Sequence, residues 1–239
     1  MQDSSNFKIS SPFVAFPAPI FPYTSPVMAM CPLCSERPGK RYCPAKDVQI
    51  CAVCCGTKRE VEIDCPAPCP YLRSSRLYEM EKERRIPDPE LEARVRRFDE
   101  SFVERNHQAM DAVCIAVAEE RPNAPWLVDS DVIEVYKALS ATMKTLSSGI
   151  YYESLPDGTV RIALFHRLKA LLDQLMQPDP DASRRTLKVS EAIDVLDFLT
   201  VAAEANSSVR PRSRRYIDWV SETFSGDAPA PQSSGLILP

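Results

Sequence analysis

The sequence predicts a mainly α-helical protein: a small N-terminal module built on two zinc ions, followed by an α-helical bundle. Two observations carry that prediction. Eight of the nine cysteines lie between Cys31 and Cys69. Beyond them, apolar residues recur at spacings of three and four, the period of helices that bury one face. A third observation sets the environment: no stretch approaches the roughly 18–20 consecutive apolar residues of a membrane span.

The chain has 239 residues, of which 44% are hydrophobic and 26% charged, enough for one or two domains with a real core. Its formal charge of −4 lacks the basic excess expected of a protein that binds nucleic acid through phosphates. A secretory signal needs a basic start and an uninterrupted apolar core. Here the start offers only Lys8, and Pro12, Pro17, Pro19 and Pro22 break its apolar stretch. The reading is a cytoplasmic protein with reduced cysteines available to metal.

Residues 1–30 are rich in Pro, Ser and Phe without a period and read as a disordered Pro-rich segment. Met28 and Met30 stand just ahead of the first cysteine, and the expectation is that translation starts at one of them. Residues 31–70 form the Cys-rich zinc module, 71–224 the α-helical domain and 225–239 a flexible tail.

Within the helical domain, the first helix runs from Tyr71 to Arg85, before Pro87 and Pro89. A second spans roughly Pro89 to Glu120, with Leu91, Val95, Phe98 and Phe102 at 4-3-4 spacing, then Ala109, Val113 and Ala116; Arg105 and Asn106 interrupt the stripe. A third covers Asp131 to Ser148, with Asp131 and Glu134 spaced as a capping box and Gly149 as terminator. The segment Gly149 to Gly158, with Ile150, Tyr151 and Tyr152, is expected to pack on the bundle as a loop. Three more helices follow: Thr159 to Met176, Ser190 to Glu204 with Ser190 as N-cap, and about Ser213 to Phe224.

Zinc takes four ligands in a tetrahedron, and thiolates suit it. Cys31 and Cys34 form a C-x2-C pair, as do Cys51 and Cys54, with Cys55 next in line. Cys65 and Cys69 form a C-x3-C pair and Cys43 stands alone before Pro44. Eight thiolates divide into two four-ligand sites. The adjacent residues Cys54 and Cys55 leave the backbone in different directions, which assigns them to different ions and interlocks the sites. All-sulfur coordination leaves no position for water or substrate, so the zinc is structural. The segment holds few apolar residues, chiefly Val48, Ile50, Val53, Val61 and Ile63, so metal must supply its folding free energy, on the order of 10 kcal/mol per ion. A ferredoxin-like iron–sulfur site is disfavoured because no C-x2-C-x2-C precedes Cys65-x3-Cys69-Pro70.

The run CPLC, RYCP, ICAVCC and CPAPC resembles the cross-brace zinc fingers of the HIT and MYND types. That resemblance implies one site of Cys31, Cys34, Cys51 and Cys55 and another of Cys43, Cys54, Cys65 and Cys69. The partition with Cys54 and Cys55 exchanged stays open. The chain departs from the type in lacking a cysteine soon after Cys43 and in placing Cys65 where a histidine often stands. The resemblance covers about 40 residues and implies protein–protein contact, sometimes within nucleic-acid-handling assemblies. The whole chain is also similar to bacterial Cys-rich proteins of uncharacterised activity that carry a CCGTKR stretch.

Two basic clusters are candidate contacts for nucleic acid or an acidic partner. Lys40, Arg41, Lys46, Lys58 and Arg59 flank the ligands; Arg210, Arg212, Arg214 and Arg215 precede Tyr216 and Trp219. The plainer reading favours charge compensation for the first, since six basic side chains between 31 and 70 meet five acidic ones and the zinc–thiolate centres add negative charge. For the second it favours a solvated loop leading into an amphipathic helix.

Nothing in the sequence points to catalysis. His107 and Cys114 share a helix face but lie about 10.5 Å apart along the axis, too far for a nucleophile–base bond. Cys114, between Val113 and Ile115, reads as a core thiol, and His166 has no evident acid partner. No G-x-S-x-G, P-loop or G-x-G-x-x-G appears among six glycines. The expected role is a non-catalytic adaptor or regulatory protein that contacts a protein partner, with a nucleic-acid-associated zinc-finger factor as the alternative.

Overall fold

The computed structural model describes residues 29–83, 89–178 and 185–224. The expected tail and nearly all of the Pro-rich segment lie outside them. Residues 29 and 30 are already paired: the Ala29 carbonyl accepts from Gly39 N–H at 2.9 Å, and Met30 bridges Pro38.

The described residues are mainly helical, as the apolar period predicts. They contain a short antiparallel hairpin, β1 (Arg41–Cys43) and β2 (Val48–Ile50), and eight helices: α1 (Ala52–Lys58), α2 (Pro70–Glu83), α3 (Pro89–Val95), α4 (Glu100–Glu120), α5 (Asp129–Ser147), α6 (Thr159–Met176), α7 (Val189–Asn206) and α8 (Arg215–Phe224). The hairpin and α1 belong to the Cys-rich segment, where the sequence shows no strand signal. Gly39 opens the hairpin because a Cβ there would stand 2.6 Å from the Gln49 carbonyl oxygen.

α5 lies along α7, with α4 and α6 beside it; α8 packs mainly on α4, and α3 on α7. The core is built on helix-spaced apolar positions. Val113, Val132, Val135, Leu139, Met143, Phe165, Leu168, Leu172 and Val220 are all fully buried. Phe98, Phe102 and Phe198 close the corner between α3, α4 and α7, with Phe98 edge-on to Phe198 at 5.3 Å. At the centre, the buried hydroxyls of Tyr136 and Tyr216 meet at 3.2 Å.

Helix boundaries depart from the sequence reading wherever a polar side chain caps a different residue. The single helix expected from Pro89 to Glu120 is two, α3 and α4. Asp99 separates them, its carboxylate accepting from Phe102 N–H at 2.8 Å as an N-cap. Asp131 does not begin α5; it sits one turn inside and accepts from Val128 N–H at 3.1 Å. Ser190 likewise lies inside α7, where Glu191 caps Lys188 N–H at 3.0 Å. Gly149 ends α5 as expected: at φ +83° it follows the cap residue, and Ile150 N–H reaches back to the Thr145 carbonyl at 3.1 Å. Asn106, read as an interruption, is buried and donates to the Phe102 carbonyl.

The loop from Gly149 to Gly158 does not bury its apolar side chains. Ile150, Tyr151, Tyr152 and Leu155 are exposed, although hydrogen bonds from Thr145 to the Tyr152 carbonyl and from Ser154 N–H to Thr142 hold the backbone against α5.

Asp129 is the buried polar hub of the bundle. It is fully buried and accepts from the hydroxyls of Ser213 at 2.7 Å and Ser207 at 3.1 Å, and from Ile217 N–H at 3.1 Å. Replacing it with alanine strands three donors in the interior. The expected loss is about 3 kcal/mol, read as a lower midpoint in urea denaturation followed by circular dichroism.

Candidate metal centre

The hairpin, α1 and the turns around them bring four sulfurs together. The Cys31 carbonyl accepts from Cys34 N–H and Ser35 N–H, at 3.4 and 2.7 Å, folding the C-x2-C pair into a tight turn. Ser35 completes that turn in the left-handed region at φ +53°. Cys51 is the N-cap of α1, and its sulfur accepts from Cys54 N–H at 3.3 Å. The Sγ atoms of Cys31, Cys34, Cys51 and Cys54 all lie within 4.8 Å of one another, with Cys34 and Cys51 3.9 Å apart. Arms of about 2.3 Å in a zinc–thiolate tetrahedron put sulfurs about 3.8 Å apart. The spacing and the donor set therefore fit a soft, four-coordinate cation. Among the described residues this is the one cluster of metal-ligand side chains at that spacing.

This grouping differs from the one the cross-brace resemblance implies: Cys54, not Cys55, joins Cys31, Cys34 and Cys51. The backbone explains it. With Cys51 as N-cap, Cys54 stands on the first turn facing the Cys31 loop. Cys55 is rotated about 100° further round the helix, and there its sulfur receives the guanidinium of Arg59 at 3.8 Å.

The thiols of Cys31, Cys51 and Cys54 do not ionise alike. Burial works to raise Cys31, yet the backbone N–H groups of Cys51, Leu33 and Cys34 overcome it and hold the thiol down at about 6. The N–H of Cys54 lowers Cys51, against its burial. Burial, with the neighbouring sulfurs, pushes Cys54 up to about 12. Four close sulfurs cannot all carry charge unless a cation compensates them, and a divalent ion is the compensation this geometry accommodates.

The other four cysteines of the module stand outside this group. Cys43 ends β1, Cys69 follows a turn closed by its own N–H to the Pro66 carbonyl, and both are buried, as is Cys55. Cys65 is half-buried; burial and the nearby Cys69, Glu60 and Cys43 push it up to about 11, against a backbone N–H at Glu60 that lowers it.

The basic candidates have specific destinations. Arg59 is buried on Cys55. Lys58 pairs with Glu62, and Arg41 covers the Tyr71 ring at 4.7 Å. Arg212 and Arg214 both bind Asp64, at 2.6 and 3.2 Å, and Arg210 donates to the carbonyls of Arg59 at 2.7 Å and Gly56 at 3.3 Å. Arg215 opens α8, while Lys40 and Lys46 are exposed on the module. Arg210, Arg212 and Arg214, expected as part of a solvated loop, are thus among the contacts between the helical domain and the module. Their internal partners, separated by about 150 residues in sequence, left no local signal.

His107 is exposed, its Nδ1 against the Glu104 carbonyl at 2.8 Å on its own helix. Glu104 and His107 have the E-x-x-H spacing used in helical di-metal sites, but both side chains lie on the exposed side of α4 rather than in the bundle. His166 is exposed as well.

Fold and site together define a mainly helical protein carrying a four-thiolate candidate metal centre in its N-terminal module. Comparison of the chain with protein-family models, curated proteins and solved structures gave no significant match.

Cys114 is buried away from these sulfurs beside Tyr216, and burial pushes it up to about 12. At pH 8 it stays protonated. In native protein it is expected to resist N-ethylmaleimide over hours and to label at once in denaturant, as peptide mass spectrometry would show.

Proposed function

We propose that the chain is a cytoplasmic, bacterial-type, zinc-binding adaptor or regulatory protein. It is non-catalytic, and its metal module serves to present a rigid surface to a protein partner. The observation that carries this reading is the four-sulfur group of Cys31, Cys34, Cys51 and Cys54, all within 4.8 Å. A centre closed by four thiolates has a structural role, since no coordination position is left for water. A second zinc is assigned to Cys43, Cys55, Cys65 and Cys69. Supporting it are the burial of Cys43, Cys55 and Cys69 and the nearness of Cys69 and Cys43 to Cys65, whose thiol they help to raise. This is the cross-brace arrangement of the HIT and MYND fingers with Cys54 and Cys55 exchanged.

Protein contact is favoured by the loop that holds Ile150, Tyr151, Tyr152 and Leu155 in solvent on a hydrogen-bonded backbone. Exposed tyrosines on a preformed loop suit a protein interface. The nucleic-acid reading loses force because Arg59, Arg210, Arg212 and Arg214 already have partners within the chain.

Native mass spectrometry of protein purified without chelator is expected to find two zinc ions per chain. Cys51→Ser removes one and Cys43→Ser removes the other. A ratio of one or none in the unmodified chain overturns the paired-site reading. Fluorescence anisotropy with single-stranded RNA and DNA at low salt is expected to show no binding; salt-sensitive binding there would favour the alternative.

A further inference from the structure

We infer that the 207–214 segment is a strap held closed by the metal-loaded cysteine module, and that loss of the metal releases its middle around Arg212. The inference rests on the reading of the four-sulfur group as a metal centre.

The strap joins α7 to α8 and has two main sets of attachments, besides an ion pair from Arg210 to Glu79 of α2 at 3.6 Å. One set belongs to the bundle. Asp129 binds the hydroxyls of Ser207 and Ser213, its own N–H donates to the Ser213 carbonyl at 2.8 Å, and Arg214 Nε donates to the Leu127 carbonyl at 3.2 Å. These contacts fix the two ends. The other set belongs to the module. Arg210 donates to the carbonyls of Gly56 and Arg59, Arg212 N–H donates to the Glu60 carbonyl at 2.9 Å, and the guanidiniums of Arg212 and Arg214 share Asp64. Both contacts of Arg212 are to the module; it has no bundle anchor among them.

Every module acceptor in that set lies between residues 56 and 64, on the end of α1 and the turn after it. That turn is tight: Glu60 sits at φ +51°, and the N–H groups of Val61, Glu62 and Ile63 all point to the Lys58 carbonyl. One side of it is fixed by the Glu60–Arg76 ion pair, and the rest of its position depends on α1, a seven-residue helix. So short a helix does not persist in water by itself. Here its first turn is tied through Cys51 and Cys54 to the sulfur cluster. Uncoupling those sulfurs removes what holds α1 in place. The strap's bonds to backbone carbonyls are directional and cannot follow a turn that moves. The middle of the strap then opens while Asp129 keeps its ends.

Limited trypsin digestion of the full chain reads this directly, because cleavage of a folded protein tracks the population of the locally open state. Metal content is measured on each sample before and after chelation. Removal of metal is expected to raise cleavage after Arg212 by about tenfold or more. Arg161, within α6, stays protected, and the exposed Arg96 and Arg97 between α3 and α4 are cut at a similar rate in both states. Arg210→Ala leaves every cysteine in place and is expected to raise cleavage after Arg212 several-fold in the metal-loaded protein. Unchanged cleavage after Arg212 once metal is gone overturns the inference, as does an equal rise at Arg161 or an Arg210→Ala variant as protected as the parent. Unmodified protein that carries no metal as purified overturns the underlying metal reading instead.

Discussion

The cysteine module cannot be held together by the burial of apolar side chains. Of its five main aliphatic residues only Ile50 and Ile63 are buried; Val48, Val53 and Val61 are exposed. Two buried isoleucines contribute about 5 kcal/mol, little against the conformational entropy of some forty ordered residues. The interior is made of sulfur: Cys31, Cys43, Cys51, Cys54 and Cys55 form its buried cluster with those two isoleucines. Thiolates packed this closely repel one another unless a cation lies between them, so a metal ion held by Cys31, Cys34, Cys51 and Cys54 would carry here the load that hydrophobic contact carries in the helical domain.

The helical domain is bound to this module through charge and backbone polarity. Buried Glu60 pairs with Arg76 at 2.9 Å, Arg76 with Asp218 of α8 at 2.9 Å, and Asp218 with Arg121 of α4 at 3.2 Å. Taking these ions out of water is costly, and a chain that alternates in sign recovers that cost only while every member stays in place. Asp64 and the carbonyls of residues 56–60 add the arginine strap to the same seam. Such a contact is specific in geometry but brittle. An apolar seam tolerates small slips; this one loses its partners when the turn from 58 to 63 moves.

Much of the helical domain was legible because its information is periodic and local. The stripe positions Phe102, Ala109, Val113 and Ala116 of α4 are buried as read, while Leu91, Val95 and Phe98 ahead of them are only partly so. What failed was the location of helix starts. Asp99, Asp131 and Glu191 all act as caps, but the choice between N-cap and third helical position depends on backbone angles that spacing alone does not reveal. The exposed loop at Ile150–Leu155 failed for a different reason. Sequence pattern equates apolar with buried, whereas here backbone hydrogen bonds to Thr142 and Thr145 set the loop's path and leave its side chains outside.

The cysteine cluster shows the same division at the candidate site. Spacing alone marked Cys31 with Cys34, and Cys51 with Cys54 or Cys55, as pairs suited to tetrahedral coordination, because a C-x2-C turn brings two sulfurs to one point whatever surrounds it. It could not decide between Cys54 and Cys55, adjacent residues that differ only in their angle around α1. Tertiary structure decided it, by making Cys51 the N-cap and so turning Cys54 towards the Cys31 loop and Cys55 towards Arg59. The arginines at 210–214 belong to the same category. Their charge is visible in the sequence, but partners some 150 residues away are set only when the chain folds back, and that folding made an apparent ligand surface into the protein's own internal seam.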